Sequence, residues 1–342
     1  MTPPVSFTLP KMPESKREEM TAAYQDIKPD LEKVEEQLEA WSRSENPLTA
    51  EVSRYVLRKR GKRLRPALVL LTSRLFGAGR SGEEVFLASL VELIHTASLI
   101  HDDIVDKADL RRGAPSVHAK WGANITVLLG DYLYIKSIGL SLQSRHDSII
   151  RLLAGVSARM IEGELDEYAL RGDLGITEEQ YLAVAEKKTA ALFSACCRIG
   201  AVLGRAADAE EEGVAAFGLN LGLAFQIVDD LLDFTGDEKA LGKPVLSDLA
   251  EGRVTLPLIH LLRNDGPPRR DRVAGLVGRR DVSGDEKAGL LKLLASSGAL
   301  AHAAGKAGEF SARGLEILDR FPASPSRTAL AGLARFAAER SR

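Results

Sequence analysis

The stretch Glu92-Leu-Ile-His-Thr-Ala-Ser-Leu-Ile-His-Asp-Asp-Ile-Val-Asp106 is an apolar run that ends in a DDxxD block. A second block of the same pattern, Asp229-Asp230-Leu231-Leu232-Asp233, ends another apolar run. Both runs read as helix. Positions i and i+4 of a helix share a face, so Asp102 projects with Asp106 and Asp229 with Asp233. Like charges at that spacing repel, and carboxylates against a hydrophobic interior are costly unless a cation neutralises them. Two such stripes facing each other form an oxygen-rich cage suited to several Mg²⁺ ions. Mg²⁺ is typically held by one or two carboxylates together with substrate phosphates, so the third party is a polyphosphate ligand.

Outward from these blocks the periodicity stays helical. Ile27, Leu31, Val34, Leu38 and Trp41 follow 4-3-4-3 spacing, an amphipathic helix. Another helix starts near Thr49, and a third follows Pro66, a residue favoured in a first helical turn. Helical patterns recur over 83–106, 123–143, 147–170, 178–204, 211–234, 251–263 and from about 285 onward, with Gly- and Pro-containing breakers between them. The charged stretch 264–285 reads as a mobile connection, and strand-like alternation is nearly absent. Residues 1–20, polar and rich in proline, read as a disordered leader. Composition does not shift at any internal point, and the chemistry-bearing residues run from 61 to 253, so they must converge in one body. The expectation is an all-α fold in a single domain over 21–342, a bundle of about ten or more helices.

The composition, 45% hydrophobic and 27% charged, is that of a soluble globular protein. A net charge of −2 gives no general attraction to nucleic acid or to an anionic membrane, so basic residues must act locally. No apolar signal core is present, and no run reaches the ~18–20 apolar residues of a membrane span. Cys196 and Cys197 are adjacent and have no zinc-ligand spacing around them. A cytoplasmic, reducing location is expected.

One face of the first motif helix carries Val91, His95, Ser98, Asp102 and Asp106, grading from aliphatic to small to acidic. Small residues there, with Ala97 alongside, either leave room for a long apolar chain or serve ordinary helix packing. His95 is either a ligand contact or a satisfied core histidine. On the second motif helix Gln226 aligns with Asp229 and Asp233, where it can donate to a phosphate oxygen or satisfy a buried backbone group. Lys188 lies on an otherwise apolar stripe with Ala185, Leu192, Ala195 and Ile199, whereas Lys187 points elsewhere. Such a lysine snorkels to an edge or neutralises an interior anion. Gly61-Lys62-Arg63-Leu64-Arg65-Pro66 opens a helix, whose free N–H groups favour phosphate. Arg111 and Arg112 follow the first block, and each can grip a phosphate bidentately. Lys243 and Arg253 add cations after the second block.

Taken in order, these segments resemble the trans-isoprenyl diphosphate synthase (polyprenyl synthetase) family. The resemblance covers about 50–342 and includes Gly61 to Pro66, Glu92 to Asp106, Arg111-Arg-Gly113, Leu129-Gly-Asp-Tyr132, Gly163-Glu164, Lys188-Thr189, Phe225 to Phe234 and Gly242-Lys-Pro244. It implies a helical bundle around a central cavity, usually a homodimer, that joins isopentenyl diphosphate head-to-tail onto an allylic diphosphate such as farnesyl or geranylgeranyl diphosphate. By that resemblance Asp102, Asp103, Asp106, Asp229, Asp230 and Asp233 hold three Mg²⁺ ions, with Asp102, Asp106 and Asp229 as the direct ligands. Arg111, Lys188, Gln226 and Lys243 contact the allylic diphosphate, and Lys62, Arg65, His95 and Arg112 bind isopentenyl diphosphate. Thr189 and Gln226 offer oxygen dipoles to the cation formed on ionisation. The 27–41 helix is a candidate dimer element.

Two departures stand out: Glu167 where the family often has Gln, and Arg253 where many members have Lys. Members that stop at short products usually carry a bulky aromatic residue at the place of Ala97; here Ala97 and Ser98 are both small, which moves the floor of the cavity down toward Val91 or Ile94. The expected product is therefore long, of roughly thirty to fifty carbons, since pocket shape sets ligand length. The competing readings are a geranylgeranyl or farnesyl diphosphate synthase, a terpene cyclase, and a subunit of a heteromeric synthase. A cyclase usually pairs its DDxxD with an Asn/Ser/Glu constellation, and non-catalytic subunits commonly lose acidic motifs, while this chain keeps all six aspartates.

Overall fold

The computed structural model describes residues 14–339 apart from 59–60, 80, 112, 237–244 and 265. Its helices are α1 (Glu14–Trp41), α2 (Pro47–Leu57), α3 (Leu64–Leu75), α4 (Glu83–Val105), α5 (Val117–Ser141), α6 (Asp147–Ala169), α7 (Glu178–Ala185), α8 (Ala191–Leu203) and α9 (Asp208–Thr235). They continue with α10 (Ser247–Ala250), α11 (Leu256–Asn264), α12 (Pro267–Ala274), α13 (Gly284–Ser296), α14 (Ala299–Leu318) and α15 (Pro325–Glu339). A π-helical turn, Glu186–Ala190, joins α7 to α8 without a break. The all-α expectation holds. The described β structure is a two-residue antiparallel pair, Leu110–Arg111 with Ala114–Pro115, directly after the first aspartate block.

Local chemistry explains several boundaries. Asn46 caps α2 by accepting from the Thr49 N–H, with Pro47 at the first helical position. Thr177 and Gln180 form a capping box at the start of α7, as Ser283 and Glu286 do for α13. Gly122 breaks α5 with a backbone of φ 80°, ψ 169°, so the regular helix begins at 123 as its periodicity predicts. Two readings change. Residues 14–20, read as leader, belong to α1, and the connection 264–285 contains α12.

One continuous core runs from Ile27 on α1 to Ala337 on α15. Within it α9 packs on α8 and α14, α4 on α5, and α3 on α8 and α4. Cys196 and Cys197 are free thiols buried in that core. Helices α4 and α9, which carry the aspartate blocks, are long and apolar enough by composition to cross a membrane. Both are mostly buried inside the bundle, as core helices are. On α1, Ile27, Leu31, Val34 and Leu38 are almost wholly buried against the chain's own α3, α4 and α15. That apolar face is spent within the protein, which removes it as a dimer element. The unpartnered apolar surface lies elsewhere. Leu128, Ile135 and Ile138 on α5, Leu142 just past its end, and Ile161, Leu165 and Tyr168 on α6 are exposed by 47% or more.

Candidate active site

A cavity of about 1460 Å³ opens between α4, α6, the π turn and α9. Asp102 and Asp106 enter it from α4, and Asp229 and Asp230 from α9. The two aspartate ladders therefore share one cavity. Lys62, Arg65, His95, Arg111, Lys188, Thr189 and Gln226 line the same space. Arg112 and Lys243 fall outside the described residues.

Lys188 reaches the cavity because two glycines let the π turn sit deep. A Cβ on Gly163 would come within 2.7 Å of the Lys188 backbone nitrogen, and one on Gly222 within 2.5 Å of the Ala190 Cα. With α6 this close, the Lys188 ammonium lies 2.6 Å from both Glu164 Oε2 and Glu167 Oε2. Lys187, as its spacing predicts, faces out to Asp166. Gly163→Ala is expected to force this junction apart, at about 1–3 kcal/mol of overpacking, and thermal denaturation measures the loss.

The electrostatics are those of an acidic pocket holding its own cations. Burial, reinforced by Glu164 and Asp106 and partly offset by Lys188, pushes the Asp102 carboxyl up to about 7. Asp103 is buried and takes the Arg111 guanidinium, Nε to Oδ1 at 2.7 Å. Asp106 pairs with Arg171 at 2.8 Å and with Arg253 at 3.5 Å. Arg253 also binds Asp248 at 2.7 Å and Glu251 at 2.5 Å. On the other wall the Thr189 hydroxyl donates to Gln226 Oε1 at 2.6 Å, and Gln226 donates to Asp230 Oδ1 at 2.8 Å. The Tyr181 hydroxyl donates to the second Asp230 oxygen at 2.6 Å. Burial and the nearby Asp248 nevertheless push the Asp230 carboxyl up to about 8.

Not every expected residue sits where its spacing puts it. Asp233 is wholly buried and absent from the cavity wall. It accepts from the Ser247 hydroxyl at 2.6 Å and from the backbone N–H groups of Ser247 and Asp248, fixing the start of α10. As placed, Asp233 caps the start of α10 and does not line the cavity. Asp103 likewise serves to hold Arg111. Ser98 lines the cavity, but Val91, Ile94 and Ala97 are buried in helix packing and do not. Glu167 faces inward, onto Lys188 and Arg253. Sequence reasoning missed Arg171, Asp248 and Glu251, which lie in a loop or at the ends of a short helix, and Tyr181 inside the short α7, with no local pattern to mark them.

Among the described residues no three carboxylate, histidine or cysteine side chains converge on one point. The donor set still suits a hard divalent cation. It consists of carboxylate oxygens, and burial, with Glu164 and Asp106 adding to it, raises the Asp102 carboxyl and makes its charge costly, a cost that a bound cation removes.

A family model described as Polyprenyl synthetase matches residues 46–294. The octaprenyl diphosphate synthase of Haemophilus influenzae is 33% identical over 316 residues, covering 92% of this chain and 94% of that protein. A short chain isoprenyl diphosphate synthase of Methanothermobacter thermautotrophicus is 37% identical over 294 residues, 84% of this chain and 89% of that one. The crystal structure of polyprenyl synthase from Caulobacter crescentus CB15, complexed with calcium and isoprenyl diphosphate, matches at a TM-score of 0.90 and 33% identity. That match covers 94% of this chain and 98% of the other. With the helical bundle, the shared aspartate cavity and these relatives together, the chain belongs to the polyprenyl synthetase family of prenyl-transferring enzymes.

Proposed function

We propose that the protein extends an allylic diphosphate, such as farnesyl or geranylgeranyl diphosphate, with isopentenyl diphosphate to give a long-chain polyprenyl diphosphate. The observation that carries this reading is the convergence of Asp102, Asp106 and Asp229 with Lys188 on one cavity that also takes in Lys62, Arg65 and His95 and the apolar side chains of Leu99, Met160 and Ile161. Asp102, Asp106 and Asp229 would hold three Mg²⁺ ions, which supply positive charge to the departing diphosphate. Lys188 and Arg111 bind the same leaving group; Arg111 spends only part of its donor fork on Asp103 and keeps the rest for phosphate. Such fixed charges favour the ionised state over the intact ester, because they meet charge that grows as the allylic C–O bond breaks. Thr189 and Gln226, already bonded to each other, present oxygen dipoles beside the forming cation. Lys62, Arg65 and His95 take isopentenyl diphosphate at the α3–α4 side. Its double bond attacks the cation, and the proton lost afterwards goes to the released diphosphate.

A long product is supported by small Ser98 one turn below Asp102, by apolar Leu99, Met160 and Ile161 on the wall, and by the octaprenyl relative. The short-chain relative keeps a shorter product as the second reading. The test is incubation of the purified protein with Mg²⁺, farnesyl diphosphate and labelled isopentenyl diphosphate, followed by sizing of the extracted lipids. Products well beyond a geranylgeranyl chain support the proposal, and products that stop there favour the short-chain reading. A hydrocarbon would indicate a cyclase, and turnover only with an added protein would indicate a heteromeric subunit.

A homodimer through α5 and α6 completes the reading. Helix α5 carries large apolar residues on both sides, with Leu129 and Leu133 buried in the chain while Leu128, Ile135 and Ile138 face out. Large apolar side chains gathered on the outer faces of two neighbouring helices mark an interface. Val127, Ile161 and Leu165 belong both to this face and to the cavity wall, so a second subunit there would also keep water from the reacting cation. Leu165→Arg is expected to halve the mass measured by light scattering; a wild-type monomer, or an unchanged dimer in the variant, would reject this interface.

A further inference from the structure

Arg63 stands between two proposed diphosphate ligands, Lys62 and Arg65, but its side chain has another task. It is buried, with 3% of the side chain exposed. Its Nε and Nη2 meet the two oxygens of Glu35 at 2.6 and 3.0 Å, and its Nη1 meets Glu92 Oε1 at 2.6 Å. The backbone of Arg63 is left-handed, φ 48° and ψ 38°, at the residue that starts α3. L-residues other than Asn and Asp rarely adopt that conformation, and they hold it only where the surroundings over-determine it. Here the surroundings are two carboxylates from two different helices. Glu35 belongs to α1, which lies wholly before the matched segment 46–294. Glu92 belongs to α4, ten residues before Asp102.

Stability alone does not account for this triad. Well-packed apolar side chains commonly replace a buried charge group at no loss, so burying three charges makes sense when it fixes a geometry. The geometry fixed here is the turn from Lys62 to Arg65. We infer that Arg63, gripped by Glu35 and Glu92, is a positioning residue that locks the Lys62–Arg65 turn onto α4, so that one rigid helix sets the spacing between the isopentenyl diphosphate site and the aspartates. Ten helical residues span about 15 Å, and His95 lies on the same helix between the two ends. The N-terminal helix thereby becomes a wall of the active site, with Glu35 itself on the cavity surface.

This inference rests on the reading that Lys62 and Arg65 hold isopentenyl diphosphate, and the experiment separates the two. Isopentenyl diphosphate is titrated calorimetrically into the wild type, Glu35→Gln, Arg63→Lys and Lys62→Ala, and steady-state constants are measured for both substrates. Glu35 lies at the edge of the triad, so its amide variant keeps the fold measurable if Arg63 variants do not. Glu35→Gln and Arg63→Lys are expected to weaken isopentenyl diphosphate, in both Kd and KM, by about ten-fold, the scale of a single charge-assisted hydrogen bond. The turnover number and the KM for the allylic diphosphate should stay within about two-fold. Unchanged isopentenyl binding in Glu35→Gln, or equal weakening of both diphosphates with a lowered Tm, would overturn the positioning role. If Lys62→Ala leaves isopentenyl binding intact, the reading of that site fails and the inference fails with it. Loss in Lys62→Ala but not in Glu35→Gln removes the inference alone.

Discussion

Asp102→Asn is expected to lower prenyl transfer by about 10³-fold while leaving the metal-free protein at least as heat-stable as the parent. The two halves of this result have one cause. Burial and the neighbouring Glu164 and Asp106 push the Asp102 carboxyl up to about 7, so its ionised form is disfavoured in the folded chain until a cation arrives. The amide removes a repulsive charge and keeps the shape, which relieves the metal-free fold. It also removes an anionic donor, which deprives the diphosphate of the charge that favours C–O cleavage. The measurements are product formation at saturating substrates and melting curves with and without Mg²⁺. Binding to the folded state raises Tm, so the Mg²⁺-dependent rise seen in the parent should shrink in the variant. Activity within ten-fold of the parent would sink the assignment of Asp102 as a ligand.

Ser98→Phe is expected to shorten the product markedly while Ala97→Phe leaves its length unchanged. The sequence places both beneath Asp102 and favours position 97 as the determinant. The structure reverses that choice. Ser98 lies one turn below Asp102 on the cavity wall, its hydroxyl turned back to the His95 carbonyl at 2.8 Å. A ring at position 98 has the cavity to enter, and it would block the path of a lengthening chain. Ala97 is wholly buried in helix packing, where a phenyl group meets atoms on every side. Overpacking of that kind costs about 1–3 kcal/mol or more, so Ala97→Phe should show as a lower Tm. Chromatography of the extracted lipids decides between them. Full-length product from Ser98→Phe at near-normal turnover would reject this account of the cavity.

The contrast shows which part of the site local sequence can carry. Helical spacing relates residues to one another, so it groups Asp102 with Asp106 and separates Lys188 from Lys187, as the structure bears out. Spacing does not say which angular sector of the helix looks into the cavity, and Ala97 and Ser98 differ by one such sector. It also does not say where a cavity ends along a helix. Asp233 shares a nominal face with Asp229, but at that level α9 has passed the rim and met the start of α10, whose N–H groups take the carboxylate. The counter-ions were harder still. Arg171 reaches Asp106 from a loop after α6, and Arg253 reaches it from beyond α10. Neither pairing leaves a trace in any short window, because tertiary packing alone brings those segments together. The amphipathic pattern of α1 was legible, but its partner was not: periodicity shows that a face is buried without saying in what.

The π turn at Glu186–Ala190 has a consequence for how this enzyme can be altered. A π turn is an α-helix with a surplus residue, and the backbone ladder around it is less regular than the helices on either side. Lys188 and Thr189 owe their aim to that surplus. Removing one amino acid between 186 and 190 would heal the ladder and swing everything upstream by about 100° relative to α8. Selection for a sturdier rod would thus drift toward a sterile one. Any thermostabilised descendant of this chain should be inspected first for whether it has kept its irregularity.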